Sequence, residues 1–338
     1  MNVKAIVLCI LPMCAMAQGF AGLGETVDGF AVPTAGYQFM FPEDHGAHPE
    51  FRIEWWYVTA NLTGPDGTQY GAQWTVFRNA LEPEMGTGWG APQIWLGHAA
   101  LTTPTDHYYA ERFGRSGIGQ AGAKDTSLDV WIDEWELTDN HMTAQGADWA
   151  YHLDLQFDGP LVFHGDNGLS VKSSAGQASY YYSQPYIRVS GSIFVDGAEI
   201  PVMGQAWMDR EWSSQPLASD QSGWDWFSLS FDTGDKLMGF QLRGTDTYTS
   251  ASWISADGGV TAYSDGAFLA EPITVHETAG VTLPVEWRVT LPLQGVDVIV
   301  NAINPDAYLP VSVPYWEGPV TVTGSHGGVG YLEMTGYD

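Results

Sequence analysis

Six Asp-Gly pairs punctuate the chain, at Asp28, Asp66, Asp158, Asp196, Asp257 and Asp265, several of them between segments that alternate apolar and polar residues. Asp-Gly readily adopts the positive φ angles of tight hairpin turns, so this spacing predicts antiparallel strands joined by short turns. Ser192 to Val195, Asp196-Gly197 and Ala198 to Val202 read as one such hairpin, and Trp224 to Phe231 alternates over eight residues. No fifteen-residue stretch carries the i, i+3, i+4, i+7 stripe of an amphipathic helix. The expectation is an all-β fold with fewer than about 15% of residues helical, against a usual 30–35%.

The halves of the sequence repeat. Trp56 to Leu62, a Gly-Pro-Asp-Gly turn and a strand ending Val76-Phe77-Arg78 open the first half. Trp226 to Phe231, an Asp-Thr-Gly-Asp turn and Gln241-Leu242-Arg243 open the second, which aligns Trp56 with Trp226. Gly204-Gln205-Ala206-Trp207-Met208-Asp209 and Gly328-Val329-Gly330-Tyr331-Leu332-Glu333 close them in the same order: Gly, any, small, aromatic, apolar, acid. Two tandem antiparallel β-barrels are expected, with a boundary in the Ser/Gln/Pro/Asp/Gly cluster between Ser213 and Gly223.

Charge narrows the function. Of 338 residues, 40 are Asp or Glu and 12 Lys or Arg, a formal net charge of −28. Nucleic-acid binding is excluded as an expectation, because phosphate contacts need clustered cations, and anionic membrane surfaces are disfavoured likewise. Residues 1–17 read as a signal peptide: Lys4 in a short n-region, an apolar run from Ala5 to Cys14, and Ala15-Met16-Ala17 before Gln18. Export to the periplasm or beyond follows. Cys14 suggests a lipoprotein alternative, although Met13 stands where a small residue is expected. Both cysteines, Cys9 and Cys14, leave with the leader, which removes disulfides and thiolate chemistry from the mature chain.

The densest unusual segment is Gly204 to Gln215. As a strand it places Trp207, Asp209 and Glu211 on one face, and Met208, Arg210 and Trp212 on the other. Asp209 and Glu211 then have two readings. Apolar walls could keep an acid neutral near pH 7, or Arg210, Arg243 or Arg78 could pair with these carboxylates as a structural tie. Glu54-Trp55-Trp56-Tyr57 reads either as core or as one wall of an apolar cavity. Tyr180-Tyr181-Tyr182 reads similarly, though the three cannot all face inward. His98 suits a cavity wall or a satisfied core position, and His45 and His48 beside Glu43, Asp44 and Glu50 suit at most an adventitious surface metal site. With no His-Glu-x-x-His, no Gly-x-Ser-x-Gly and no phosphate loop, no metal or other cofactor is expected.

Glu54-Trp-Trp-Tyr57, Leu96-Gly-His-Ala99, the Gly204 to Gln215 segment, Trp224-Asp-Trp-Phe227 and Tyr315-Trp-Glu-Gly-Pro319 together resemble the AttH/CrtC lipocalin-like family, from about Tyr37 to the C-terminus. The resemblance implies two lipocalin-like barrels, here residues 37–218 and 219–338. It includes carotenoid 1,2-hydratase, which adds water to an isoprenoid double bond, and exported members that travel with ABC-transporter permeases. It assigns Asp209 the role of the acid and puts Trp207 where the hydratases carry tyrosine. Glu54, Trp56, Tyr57, His98, Glu211, Trp212, Trp224 and Trp226 become candidate ligand contacts. Two functions follow as expectations: a carrier of a lipid or isoprenoid serving an ABC transporter, or a hydratase acting through Asp209, with a secreted hydrolase as the weaker alternative.

Overall fold

The computed structural model describes residues 28–84 and 86–337. The leader, its cleavage site, Cys9 and Cys14 lie outside the described residues. Among the described residues only 3% are helical, and the strands form two barrel-like sheets, the first nearly closed and the second a half-barrel. Every strand pairing among the described residues is antiparallel, as the turn chemistry predicts. The Asp196-Gly197 hairpin is present: both residues have positive φ, 53° and 77°, and join the long strands Ala178–Val195 and Ala198–Ser213.

In the first sheet, the opening strand Ile53–Thr63 lies between Gln69–Ala80 and Ala198–Ser213, so the end of this half returns to its beginning. The sheet's two outer strands, His107–Arg115 and Ala121–Ala123, nearly meet. A Cβ built on Gly114 would sit 2.7 Å from that of Ala121. The second sheet repeats the arrangement, with Gly223–Phe231 between Lys236–Arg243 and Gly328–Thr335. Each barrel has its own apolar core, one centred on Trp56, Trp74, Trp135 and Trp212, the other on Phe227, Trp287 and Trp316. A third cluster, including Tyr57, Tyr181, Trp207, Trp226, Phe240 and Tyr331, joins the barrels.

The repeat is real but displaced by one residue from the alignment expected. Trp226 lies opposite Glu333 as Tyr57 lies opposite Asp209, whereas Trp56 lies opposite Arg210. Tyr57, not Trp56, is the counterpart of Trp226. Adjacent aromatics satisfy a period-two pattern in either alignment, and only the partner strand decides between them.

Candidate functional site

The central strands of the two sheets face one another across the seam, and period two decides what each presents there. From Ile53–Thr63 the odd residues Ile53, Trp55 and Tyr57 point into the gap, and from Ala198–Ser213 the residues Asp209, Glu211 and Ser213 do so. The second barrel contributes Trp224, Trp226, Phe240, Leu242 and Glu333. Together they enclose a cavity of about 120 Å³. Trp55, Lys172, Gln177, Leu217 and Trp224 are half-buried at its rim, while Tyr57, Tyr181, Asp209, Trp226 and Glu333 are buried.

Asp209, 4% exposed, meets no arginine. The Tyr181 hydroxyl donates to its Oδ2 at 2.6 Å, and the Trp207 indole N–H donates to Oδ1 at 2.6 Å. The Ser183 hydroxyl also donates to Oδ1. Burial outweighs these hydrogen bonds, and with the neighbouring Glu211 charge it pushes the carboxyl up to about 7. An indole N–H can only donate, so Oδ1 must accept, and the proton of the neutral acid belongs on Oδ2 beside Tyr181. Trp226 Nε1–H donates to the Tyr181 oxygen at 3.0 Å and fixes the phenol from the other barrel. Behind Ser183, His164 Nε2 lies 2.6 Å away and its Nδ1 lies 2.9 Å from the Ser252 hydroxyl. Burial pushes His164 down to about 3, so the ring is neutral.

Three further carboxyls surround this acid. Glu333 accepts from Trp224 Nε1 at 2.7 Å, and burial beside the Asp209 and Glu211 charges pushes it up to about 7. Glu317, fully buried with Tyr57 and Tyr315, is held well above the ordinary carboxylate range by burial and by Glu333. Glu211 is different: it takes a hydrogen bond from Ser179, and Lys172 Nζ approaches it at 2.9 Å. The same ammonium lies 4.7 Å from the Tyr181 ring centre and 4.5 Å from that of Phe240, a cation seated on aromatic faces at the rim. The cavity thus has acids of raised proton affinity, Asp209 and Glu333, among aromatic walls, with the Lys172–Glu211 ion pair at the mouth.

The expected site residues divide by parity. Asp209, Tyr57, Glu211, Trp224 and Trp226 line the cavity. Trp207 holds Asp209 through its N–H, and a phenol reaches the same carboxyl from Tyr181 on the adjacent strand. Glu54, Trp56 and Trp212 belong to the opposite face and lie inside the first barrel, a correction that follows from strand alternation. Glu54 is the centre of a buried ion cluster, with Arg78 on Oε1 and Arg210 on Oε2 at 2.9 Å. These arginines, which the sequence allowed as partners of Asp209, are thereby engaged elsewhere. Arg243 lies 3.5 Å from Asp225.

His98 sits at the seam rather than in the cavity, between Glu111 and the Tyr315 hydroxyl, both 3.1 Å away. His48 is no surface ligand: it is buried between Asp44 and Glu54 and stacks on Trp212 at 3.8 Å. Among the described residues no group of His, Cys, Asp and Glu is arranged to hold a metal. Sequence reasoning missed Ser183, His164, Lys172 and Glu333 as site residues, and left Tyr181 undistinguished from Tyr180 and Tyr182. For Glu333 the signal was present, since it closes the same repeat as Asp209.

Two lipocalin-like barrels in tandem, with an acid-lined cavity at their junction, define the class of protein. The chain belongs to the AttH-like family, whose model matches residues 32–337. It is similar to the crystal structure of an AttH protein from Nitrosomonas europaea, with a TM-score of 0.83 and 34% identity, over 91% of this chain and all of that one. Kievitone hydratase from Nectria haematococca shares the fold at a TM-score of 0.68 and 16% identity, covering 91% of this chain and 96% of its own. CghA, solved with Sch210972, shares it at a TM-score of 0.53 and 12% identity, covering 86% of this chain and 89% of its own. No curated protein matches the sequence.

Proposed function

We propose that this protein adds water to a carbon–carbon double bond of an apolar, isoprenoid-type substrate, with Asp209 as proton donor. The observation that carries this reading is a buried carboxyl, pushed up to about 7, that lines an aromatic cavity and has no basic partner. The Oδ2 proton of Asp209 passes to the less substituted alkene carbon, leaving a tertiary cation on its neighbour. Aromatic side chains line the cavity beside Asp209, Trp226 among them, and cation–π attraction contributes about 2 kcal/mol or more where water is excluded. Water adds to the cation and gives its surplus proton to the Asp209 carboxylate that the first step left, which restores the neutral acid. The sum is alkene plus water to alcohol. Kievitone hydratase, a hydratase by name on the same fold, is consistent with this chemistry.

The test is conversion of isoprenoid alkenes by the purified protein in ¹⁸O-labelled water, read by mass spectrometry. A labelled alcohol is expected, with turnover lowered by about 10²-fold or more in Asp209→Asn. Full activity in that variant, with the fold verified, overturns the assignment. The second reading is a lipid or isoprenoid carrier serving an ABC-transporter permease, favoured by the aromatic rim of Trp55 and Trp224. Native mass spectrometry showing a stoichiometric apolar ligand with no conversion selects it. We also propose export, with a mature N-terminus at Gln18; N-terminal sequencing that begins at a lipidated Cys14 selects the lipoprotein instead.

A further inference from the structure

A second cavity lies away from the seam. It encloses about 430 Å³ on the outer face of the first barrel, and Arg52, Leu81, Ile94, Phe113 and Arg115 contribute to its walls. Strand pairing sets Ile94 beside Arg115 and Leu96 beside Phe113, so apolar and cationic groups alternate along one surface. Ser312 and Val313 of the second barrel close one side. Phe113 is 61% exposed, Leu81 54% and Ile94 40%. This is a contiguous apolar surface facing solvent, unlike scattered single exposures.

The two arginines are what separate this groove from ordinary surface. In a chain with 40 acidic residues, six of the eight arginines have a carboxylate within 4 Å: Arg78 and Arg210 on Glu54, Arg112 on Glu134, Arg188 on Asp158, Arg243 on Asp225 and Arg288 on Asp297. Arg52 and Arg115 have none among the described residues, and both line this one groove. The Arg115 guanidinium reaches only the carbonyls of Trp89 and Ala91, each at 3.4 Å. Two guanidinium groups left without counter-charge beside exposed Phe, Leu and Ile side chains match a ligand with an anionic head and an apolar body. Guanidinium suits a carboxylate best through paired N–H donors. With a net charge of −28, long-range repulsion opposes such a ligand, so its recognition has to be local.

We propose that this groove binds an aliphatic carboxylate, with the chain along Leu81, Ile94 and Phe113 and the carboxylate on Arg52 and Arg115. The test is isothermal titration of the full protein with dodecanoate and with dodecanol, below their aggregation limits. One dodecanoate is expected to bind, and the Arg52→Gln, Arg115→Gln double variant is expected to weaken it at least tenfold. The preference over dodecanol should then disappear. Arg115 is exposed and Arg52 half-buried, and an unchanged melting temperature shows that the variant folds. Asp209→Asn is expected to leave dodecanoate binding untouched, which separates this groove from the seam cavity. The proposal is overturned if wild-type protein takes up no dodecanoate, if the double variant binds it as before, or if the Asp209 variant alone abolishes it.

Discussion

At the scale of the residue, Asp209 shows what a proton-holding acid costs the fold. Its carboxyl moves from the ordinary 3.8 to about 7 on folding, with burial as the main cause. Between those values the folded chain binds a proton that the unfolded chain has released. Stability from this group is therefore greatest below about pH 4 and falls as pH rises to about 7, by about 4 kcal/mol in all. The side chain introduced by Asp209→Asn resembles the neutral acid: its carbonyl oxygen can accept from Trp207 and Ser183, and its amide can donate to Tyr181. This variant is thus expected to be more stable than wild type at pH 8 and to lose much of the slope between pH 5 and 7, as read by urea unfolding at each pH. Glu333, also pushed up to about 7, acts in the same direction, so the double variant with Glu333→Gln is expected to lose a further share of the falling slope, leaving the part due to Glu317 and the opposite contribution of the neutral His164. An unaltered slope in both variants means that these carboxyls are ionised. The inert acid nearby makes the contrast: Glu54 is equally buried but is held well below the ordinary range by Arg78 and Arg210.

At the scale of the element, one strand serves two purposes by alternation. Along Ala198–Ser213, Asp209 and Glu211 face the seam, while Arg210 and Trp212 face the first barrel's core. Arg210 lies over the Trp56 ring at 3.9 Å and joins Arg78 and His48 on the Glu54 carboxylate. Removing the charge of Glu54 leaves two guanidinium groups buried without their counter-ion, so Glu54→Gln is expected to cost on the order of 3–5 kcal/mol. The loss should appear as a lowered melting temperature with the seam chemistry little altered in protein that remains folded. This division was legible in the sequence, because period two sends Asp209 and Arg210 to opposite faces of any regular strand. What was not legible depends on register. Tyr181 and Ser183 reach Asp209 from a strand 26 to 28 positions away, and nothing in their own segment marks which of three tyrosines faces the seam. The same ignorance of register displaced the repeat by one residue and put Trp56 at the cavity beside Tyr57.

At the scale of the whole molecule, the site exists only because two barrels meet. Asp209 and Tyr181 come from the first, Trp226 and Glu333 from the second, and the duplicated acid of each half arrives at the same gap. Their approach depends on small residues where the sheets touch. A Cβ built on Gly71 would sit 2.6 Å from Pro319 Cγ and 2.7 Å from Pro319 Cδ, atoms of a rigid ring in the facing barrel, and it would also collide with the Tyr331 hydroxyl. Asn61 Nδ2 donates to the Gly330 carbonyl at 2.9 Å and holds the same region together. Neither barrel core contains Gly71, so enlarging it strains the seam first. Gly71→Ala is therefore expected to cost about 1–3 kcal/mol, as overpacking does, and to shift one barrel against the other by a fraction of an ångström. A shift of that size changes the distance from Trp226 to Tyr181 and so the setting of the Asp209 proton. The far-ultraviolet spectrum should match wild type, while the pH dependence attributed above to Asp209 weakens as water enters the gap. Stability and pH dependence both equal to wild type mean that the seam tolerates a methyl group at Gly71 and that its close packing does not set the acidity of Asp209.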